Sequence, residues 1–129
     1  MTEESKARIK LLLVDDEAAY VNVLANRMAK RHIAVTKALS GTEGIQALRK
    51  EDFDIAILDL KMEDMDGIEV LKVFKKMVPT MPVIMLTGHG SEKAAREGLA
   101  LGASDYLTKP CDLEELIEQI KAAIRLEGS

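Results

Sequence analysis

Three aspartates, a threonine and a lysine stand where short apolar runs end, and their types suit phosphoryl chemistry. Asp59 closes the run Phe53-Asp54-Ile55-Ala56-Ile57-Leu58, and Asp15 and Asp16 follow Ile9-Lys10-Leu11-Leu12-Leu13-Val14. Val83-Ile84-Met85-Leu86 leads into Thr87 and Gly88-His89-Gly90, and Tyr106-Leu107 leads into Thr108-Lys109-Pro110. A strand buried on both faces reads as a near-continuous apolar run, and open parallel sheets gather ligands at the carboxyl ends of their strands. Carboxylates brought together raise one another's pKa and cost stability unless a cation joins them. An all-oxygen set suits a hard divalent cation, magnesium (Mg2+) above all, and the lack of nearby Cys or His disfavours zinc. A carboxylate beside such a metal can attack phosphorus and form an aspartyl phosphate. The Thr87 hydroxyl can donate to a phosphoryl oxygen, Lys109 supplies a point charge, and the glycines let backbone N–H groups approach an anion. Singly, each residue has an ordinary reading: Asp15 and Asp16 could open a helix, and Lys109 could be a solvated surface lysine. Together, all five fall at carboxyl ends of expected strands.

The elements that would position them are legible from periodicity. Expected strands are Ile9–Val14, Ile33–Ala38, Asp54–Leu58, Pro82–Leu86 and Asp105–Leu107. The segments between them carry a helical period, as in Val21, Leu24 and Met28, or Leu113, Leu116, Ile117, Ile120 and Ile124. Ser40 with Glu43, Asp66 with Glu69, and Asp112 with Glu115 have capping-box spacing, and Ser91 is the expected N-cap of the fourth helix. Met62, Met65 and Met77 read as gap-filling core. Gly98 inside the fourth helix weakens it by about 1 kcal/mol relative to Ala, which makes that helix the expected mobile one.

Five β units alternating with five α units imply a parallel sheet covered by helices on both faces. The second strand alternates apolar and polar residues, as an edge strand does. The order 2-1-3-4-5 follows, a single flavodoxin-like, doubly wound (βα)5 α/β domain, with Asp15, Asp16 and Asp59 converging between the first and third strands.

Composition bounds the function. The 129 residues imply one domain spanning 1–129, with a core from about 9 to 126 and short flexible termini. Hydrophobic residues make up 47% and aromatics only 3%, so aliphatic side chains build the core. The net charge of -4, without a basic stripe, disfavours nonspecific nucleic-acid binding, and no direct nucleic-acid contact by this chain is expected. A single cysteine, Cys111, excludes an internal disulfide and suits the reducing cytoplasm. The first ten residues are polar, and no apolar run approaches the roughly 20 residues of a membrane span.

The sequence resembles the receiver domain of bacterial two-component response regulators from about Ile9 to Leu126. The matching pieces are Val14-Asp15-Asp16-Glu17, Leu58-Asp59-Leu60-Lys61-Met62, Met65-Asp66-Gly67, Pro82 to Gly88, Leu101 to Leu107 and Lys109-Pro110. The resemblance implies that Asp59 is the phosphoacceptor, taking its phosphoryl group from a histidine kinase or a histidine phosphotransfer protein. It implies Mg2+ held by Asp16, by Asp15 largely through water, by Asp59 and by the Lys61 backbone carbonyl. Thr87 and Lys109 would bind phosphoryl oxygens, and Tyr106 would turn inward as Thr87 moves. The face formed by the fourth helix, fifth strand and fifth helix would then engage a downstream effector or a second copy in a phosphorylation-dependent dimer. Lys61 and His89 occupy positions that tune the lifetime of the phosphoaspartate. Gly88-His89-Gly90-Ser91 is most similar to receivers that work with the alternative sigma factor.

Two departures stand out. Glu63-Asp64 replaces the Pro-Gly frequent in receivers, which adds negative charge and is expected to loosen that loop, and Cys111 replaces a frequent Phe. Three rivals use the same residues differently. A Mg2+-dependent phosphatase with an Asp nucleophile would carry Asp-x-Asp at the first strand end, where Asp15-Asp16-Glu17 stands. A receiver-like interaction module without phosphate would not need the full set of five polar residues. A flavin-binding relative would need a long phosphate loop after the first strand.

Overall fold

The computed structural model describes residues 8–88 and 90–128, and these alternate strand and helix throughout. The elements are β1 (Ile9–Val14), α1 (Ala18–Ala29), β2 (Ile33–Ala38), α2 (Gly41–Lys50), β3 (Ile55–Asp59), α3 (Gly67–Met77), β4 (Val83–Thr87), α4 (Glu92–Ala100), β5 (Asp105–Thr108) and α5 (Leu113–Gly128). All five strands are parallel in the order β2-β1-β3-β4-β5, with β2 at one edge as its alternation implies. Asp54 stays outside β3. It exchanges backbone and side-chain hydrogen bonds with Lys10, where Lys10 N donates to Oδ2 at 2.8 Å.

Side-chain alternation divides the apolar strand residues into two cores. Leu12, Val14, Ala56, Leu58, Val83 and Met85 face α2, α3 and α4 and surround the fully buried Phe74. Leu11, Leu13, Ile55, Ile57, Ile84 and Leu86 face α1 and α5, where Val21, Leu24, Met28, Leu116, Ile117 and Ile120 close the layer. Each such aliphatic side chain contributes about 1.5–3 kcal/mol on leaving water. Met62, Met65 and Met77 are half-buried against the first core, as their gap-filling role requires.

Caps explain where several helices begin. Glu43 N donates to Ser40 Oγ at 3.0 Å, and the Glu43 carboxylate reaches back to Leu39 N at 2.9 Å. Asp66 Oδ1 accepts from Ile68 N at 2.9 Å at the head of α3. Ser91 precedes α4 as expected, but its side chain makes no capping hydrogen bond and is buried. Gly98 has a packing reason as well as a helix cost. It is buried, and a Cβ there would collide with Met85 Sδ, so glycine lets α4 approach β4.

Candidate functional site

The strand register brings the polar ends level. Val14 pairs with Leu58, so Asp15 follows β1 beside Asp59 at the end of β3. Asp59 pairs with Leu86, which places Thr87 one residue beyond it on β4, and Thr87 pairs with Thr108, just ahead of Lys109. The apolar runs bury this edge. Asp15 is 0% exposed, Asp59 5% and Thr87 1%.

Lys109 Nζ lies 2.7 Å from Asp15 Oδ2, 2.6 Å from Glu17 Oε1 and 3.7 Å from Asp59 Oδ2. Its ammonium also sits 4.8 Å from the centroid of the Tyr20 ring, a cation–π arrangement. Burial opposes charge on Lys109, but the surrounding carboxylates outweigh it and raise its pKa. Asp15 Oδ1 accepts from Glu17 N at 2.9 Å. Asp15 Oδ2 has Lys109 as a counter-ion but no donor aimed along a hydrogen bond. Asp59 Oδ1 accepts from Lys61 N at 3.3 Å. Burial, reinforced by Asp15, pushes the Asp59 carboxyl up to about 6 against the pull of Lys109. Burial and the Cys111 thiol, 3.8 Å from the Tyr20 hydroxyl, push the Tyr20 phenol up as well.

Asp15, Glu17 and Asp59 each offer an oxygen within 4.8 Å of the others. An all-carboxylate set with a buried oxygen that lacks a hydrogen-bond donor fits a hard divalent cation such as Mg2+. Glu17 thus joins the cluster in place of Asp16, whose Oδ2 accepts from Glu63 N at 3.1 Å. The signal for Glu17 was present as the third acid of Asp15-Asp16-Glu17, and the turn that folds Glu17 N onto Asp15 brings its carboxylate back.

Asp16 instead faces a cleft of about 570 Å³ lined by Leu60, Lys61, Met62, Asp66, Ser91 and other residues. Lys61 is exposed on its rim and forms an antiparallel bridge with Asp66. Thr87 Oγ1 is 3.5 Å from Leu107 O, at the long limit for a hydrogen bond. Tyr106 is half-buried and packs against the α2–α3–α4 core. The Lys109-Pro110 peptide is cis, as Pro110 allowed. His89 lies outside the described residues.

The Glu63-Asp64 departure does not loosen its loop. The Asp64 carboxylate accepts hydrogen bonds from the first turn of α2, and Glu63 N is held by Asp16. The added charge at Asp64 is taken up by helix N–H groups.

A doubly wound parallel sheet with acids, a threonine and a lysine on its carboxyl edge defines a flavodoxin-like α/β protein. The sequence matches the response regulator receiver domain over residues 11–121. It is 40% identical over 114 residues to the transcriptional regulatory protein GlrR of Escherichia coli, covering 88% of this chain and 26% of that one. The transcriptional regulatory protein YkoG of Bacillus subtilis is 36% identical over 119 residues, covering 92% of this chain and 52% of that one. The chain therefore spans about a quarter to a half of the length of these relatives. The crystal structure of a response regulator receiver domain protein from Clostridium thermocellum superposes with a TM-score of 0.89 at 33% identity, covering 93% of this chain and 97% of that one. The chain belongs to the response regulator receiver domain family.

Proposed function

We propose that this chain is one phosphorylation-dependent signalling domain in which Asp59 accepts a phosphoryl group from the phosphohistidine of a histidine kinase or a histidine phosphotransfer protein. The observation that carries the reading is Asp59 itself, 5% exposed at a strand end, with Lys109 Nζ 3.7 Å away and Thr87 on the next strand. An Asp59 oxygen attacks phosphorus, the P–N bond breaks, and its electron pair returns to the imidazole, which takes a proton. Asp15, Glu17 and Asp59, whose oxygens lie together, would hold Mg2+, with Asp16 and the Lys61 carbonyl the further ligands that the family resemblance implies. Bound there, the cation would supply positive charge against the phosphoryl oxygens. Lys109 pairs with one phosphoryl oxygen, Thr87 donates to another, and Tyr106 follows Thr87 inward. The change shifts a two-state equilibrium of the α4–β5–α5 face, as charge-driven switches do.

The domain assists its own phosphorylation and dephosphorylation and is a signalling module rather than an enzyme of metabolism. Its partner downstream is an effector or a second phosphorylated copy. Relatives named as transcriptional regulatory proteins support a transcriptional output, with nucleic-acid contact supplied by segments other than these residues. Among the described residues no helix is long and apolar enough to cross a membrane. A single cysteine supports a cytoplasmic setting. Incubation with a small acyl phosphate and Mg2+ should label the chain, and Asp59→Asn should abolish the label. Undiminished labelling of that variant would sink the assignment.

A further inference from the structure

Asp64 stands outside the acidic cluster, yet its carboxylate makes three hydrogen bonds. Gly41 N donates to Oδ1 at 2.9 Å, and Thr42 N and Thr42 Oγ1 each donate to Oδ2 at 3.0 Å. These are the first two residues of α2, 22 and 23 positions earlier in the chain. A helix leaves its first four N–H groups without helical partners. Here Glu43 N goes to Ser40 Oγ and Asp64 takes Gly41 N and Thr42 N, while Gly44 N opens the helical ladder on the Ser40 carbonyl. The Gly41 and then the Thr42 N–H groups hold the Asp64 carboxyl below its usual range, so it is ionised at neutral pH.

The loop that carries Asp64 also touches both acids that matter. Lys61 N holds Asp59 at 3.3 Å, and Glu63 N, one peptide before Asp64, holds Asp16 at 3.1 Å. The loop ends are fixed by the Lys61–Asp66 bridge and by Gly67 N on the Leu60 carbonyl. Its middle is exposed at Glu63 and Asp64 and is pinned from outside by Asp16 and α2. A Pro-Gly pair at these positions would offer neither the Glu63 N–H nor the Asp64 carboxylate, so both links belong to this sequence.

We propose that Asp64 is a positioning residue for phosphorylation at Asp59: seated on the N terminus of α2, it fixes the β3–α3 loop whose N–H groups orient Asp59 and Asp16. The inference rests on Asp59 being the phosphoacceptor. Groups that orient metal ligands change affinity by roughly 10–100-fold when removed, and small misplacements of a nucleophile cost comparable factors in rate.

The test uses the full chain and three variants, Asp64→Ala, Asp64→Asn and Thr42→Val. Mg2+ affinity is measured by calorimetry, labelling rate with a small acyl phosphate, and stability by urea unfolding. Asp64→Ala should weaken Mg2+ binding and slow labelling by about tenfold each. Asp64→Asn keeps an acceptor oxygen and should recover part of both, and Thr42→Val should lose about twofold or less. A loss of stability with Mg2+ affinity and labelling rate unchanged in the folded variants would mean that Asp64 only caps α2, and would overturn the proposal. If Asp64→Ala does not fold, graded losses in the other two support the proposal, and values for both equal to the unmutated chain overturn it. Failure of the unmutated chain to label would overturn the assignment of Asp59, while Mg2+ affinity across the series still reports on Asp64.

Discussion

The β3–α3 loop and the beginning of α4 face each other across the cleft that Asp16 lines, and they are held in different ways. Four carboxylates secure the first: Asp59 takes Lys61 N, Asp16 takes Glu63 N, Asp64 takes the head of α2, and Asp66 takes Ile68 N. At the second, Ser91 N donates to the Gly88 carbonyl at 3.3 Å, and the Ser91 side chain makes no capping bond. A Cβ at Gly88 or Gly90 would meet nothing within 4 Å, and Gly90 has a φ of 85°. The contrast teaches that Asp59 and Asp16 both bond to one loop that is itself tied to α2 and α3. The space around Gly88 and Gly90 contrasts with the close packing of the other wall at Gly67.

Glycine substitutions give the largest contrast. A Cβ at Gly67 would lie 2.5 Å from Leu60 Cα and 2.8 Å from the Asp59 carbonyl oxygen. Gly67→Ala should therefore lose about 3 kcal/mol in urea unfolding. Gly88→Ala should stay within about 0.5 kcal/mol of the parent. Equal losses would erase the distinction between the walls.

The next effect concerns the acid between them. Asp59 has its folded pKa raised to about 6 from 3.8. An acid raised in the folded state binds its proton more tightly there. The chain should then lose stability as pH rises from about 4 to about 6, with the full loss above that. A shift of this size corresponds to about 3 kcal/mol. In chelator-treated buffer, Asp59→Asn should be more stable than the parent by about 2–3 kcal/mol at pH 7 and by much less at pH 4. A difference that does not change with pH would remove burial as the cause.

Caps provide the smallest effect. Asp66→Ala should cost about 1 kcal/mol, because Ile68 N loses its acceptor. Ser91→Ala should cost under about 0.5 kcal/mol. A larger cost at Ser91 would show that the head of α4 is secured after all.

The sheet and its site were legible because burial writes itself into composition. Runs such as Leu11 to Val14 and Ile55 to Leu58 are fully buried, and the acids and lysine that follow them arrive at one edge by register alone. The strand ends differed by a residue where the polar terminus itself pairs, as Asp59 and Thr87 do. Local rules found Ser40 and Asp66. They placed Ser91 at the head of α4 too, but its hydroxyl is buried without reaching the helix N–H groups. They also misread Asp64, because its partners on α2 lie 22 and 23 residues away and only the tertiary fold brings them together. Glu17 was visible as an acid, but its return onto Lys109 depends on how the turn after β1 folds.

Lys109 leaves β5 and reaches Asp15 and Glu17 beyond β1, passing the ends of β3 and β4. At strand spacings of about 4.8 Å, that link draws together chain ends roughly 14 Å apart in the sheet order. Any cation arriving at Asp15 and Glu17 competes with the ammonium for the same oxygens. A divalent cation bound there would take those oxygens from the ammonium, and the tie from the end of β5, the strand that carries Tyr106, to the end of β1 would weaken by that much.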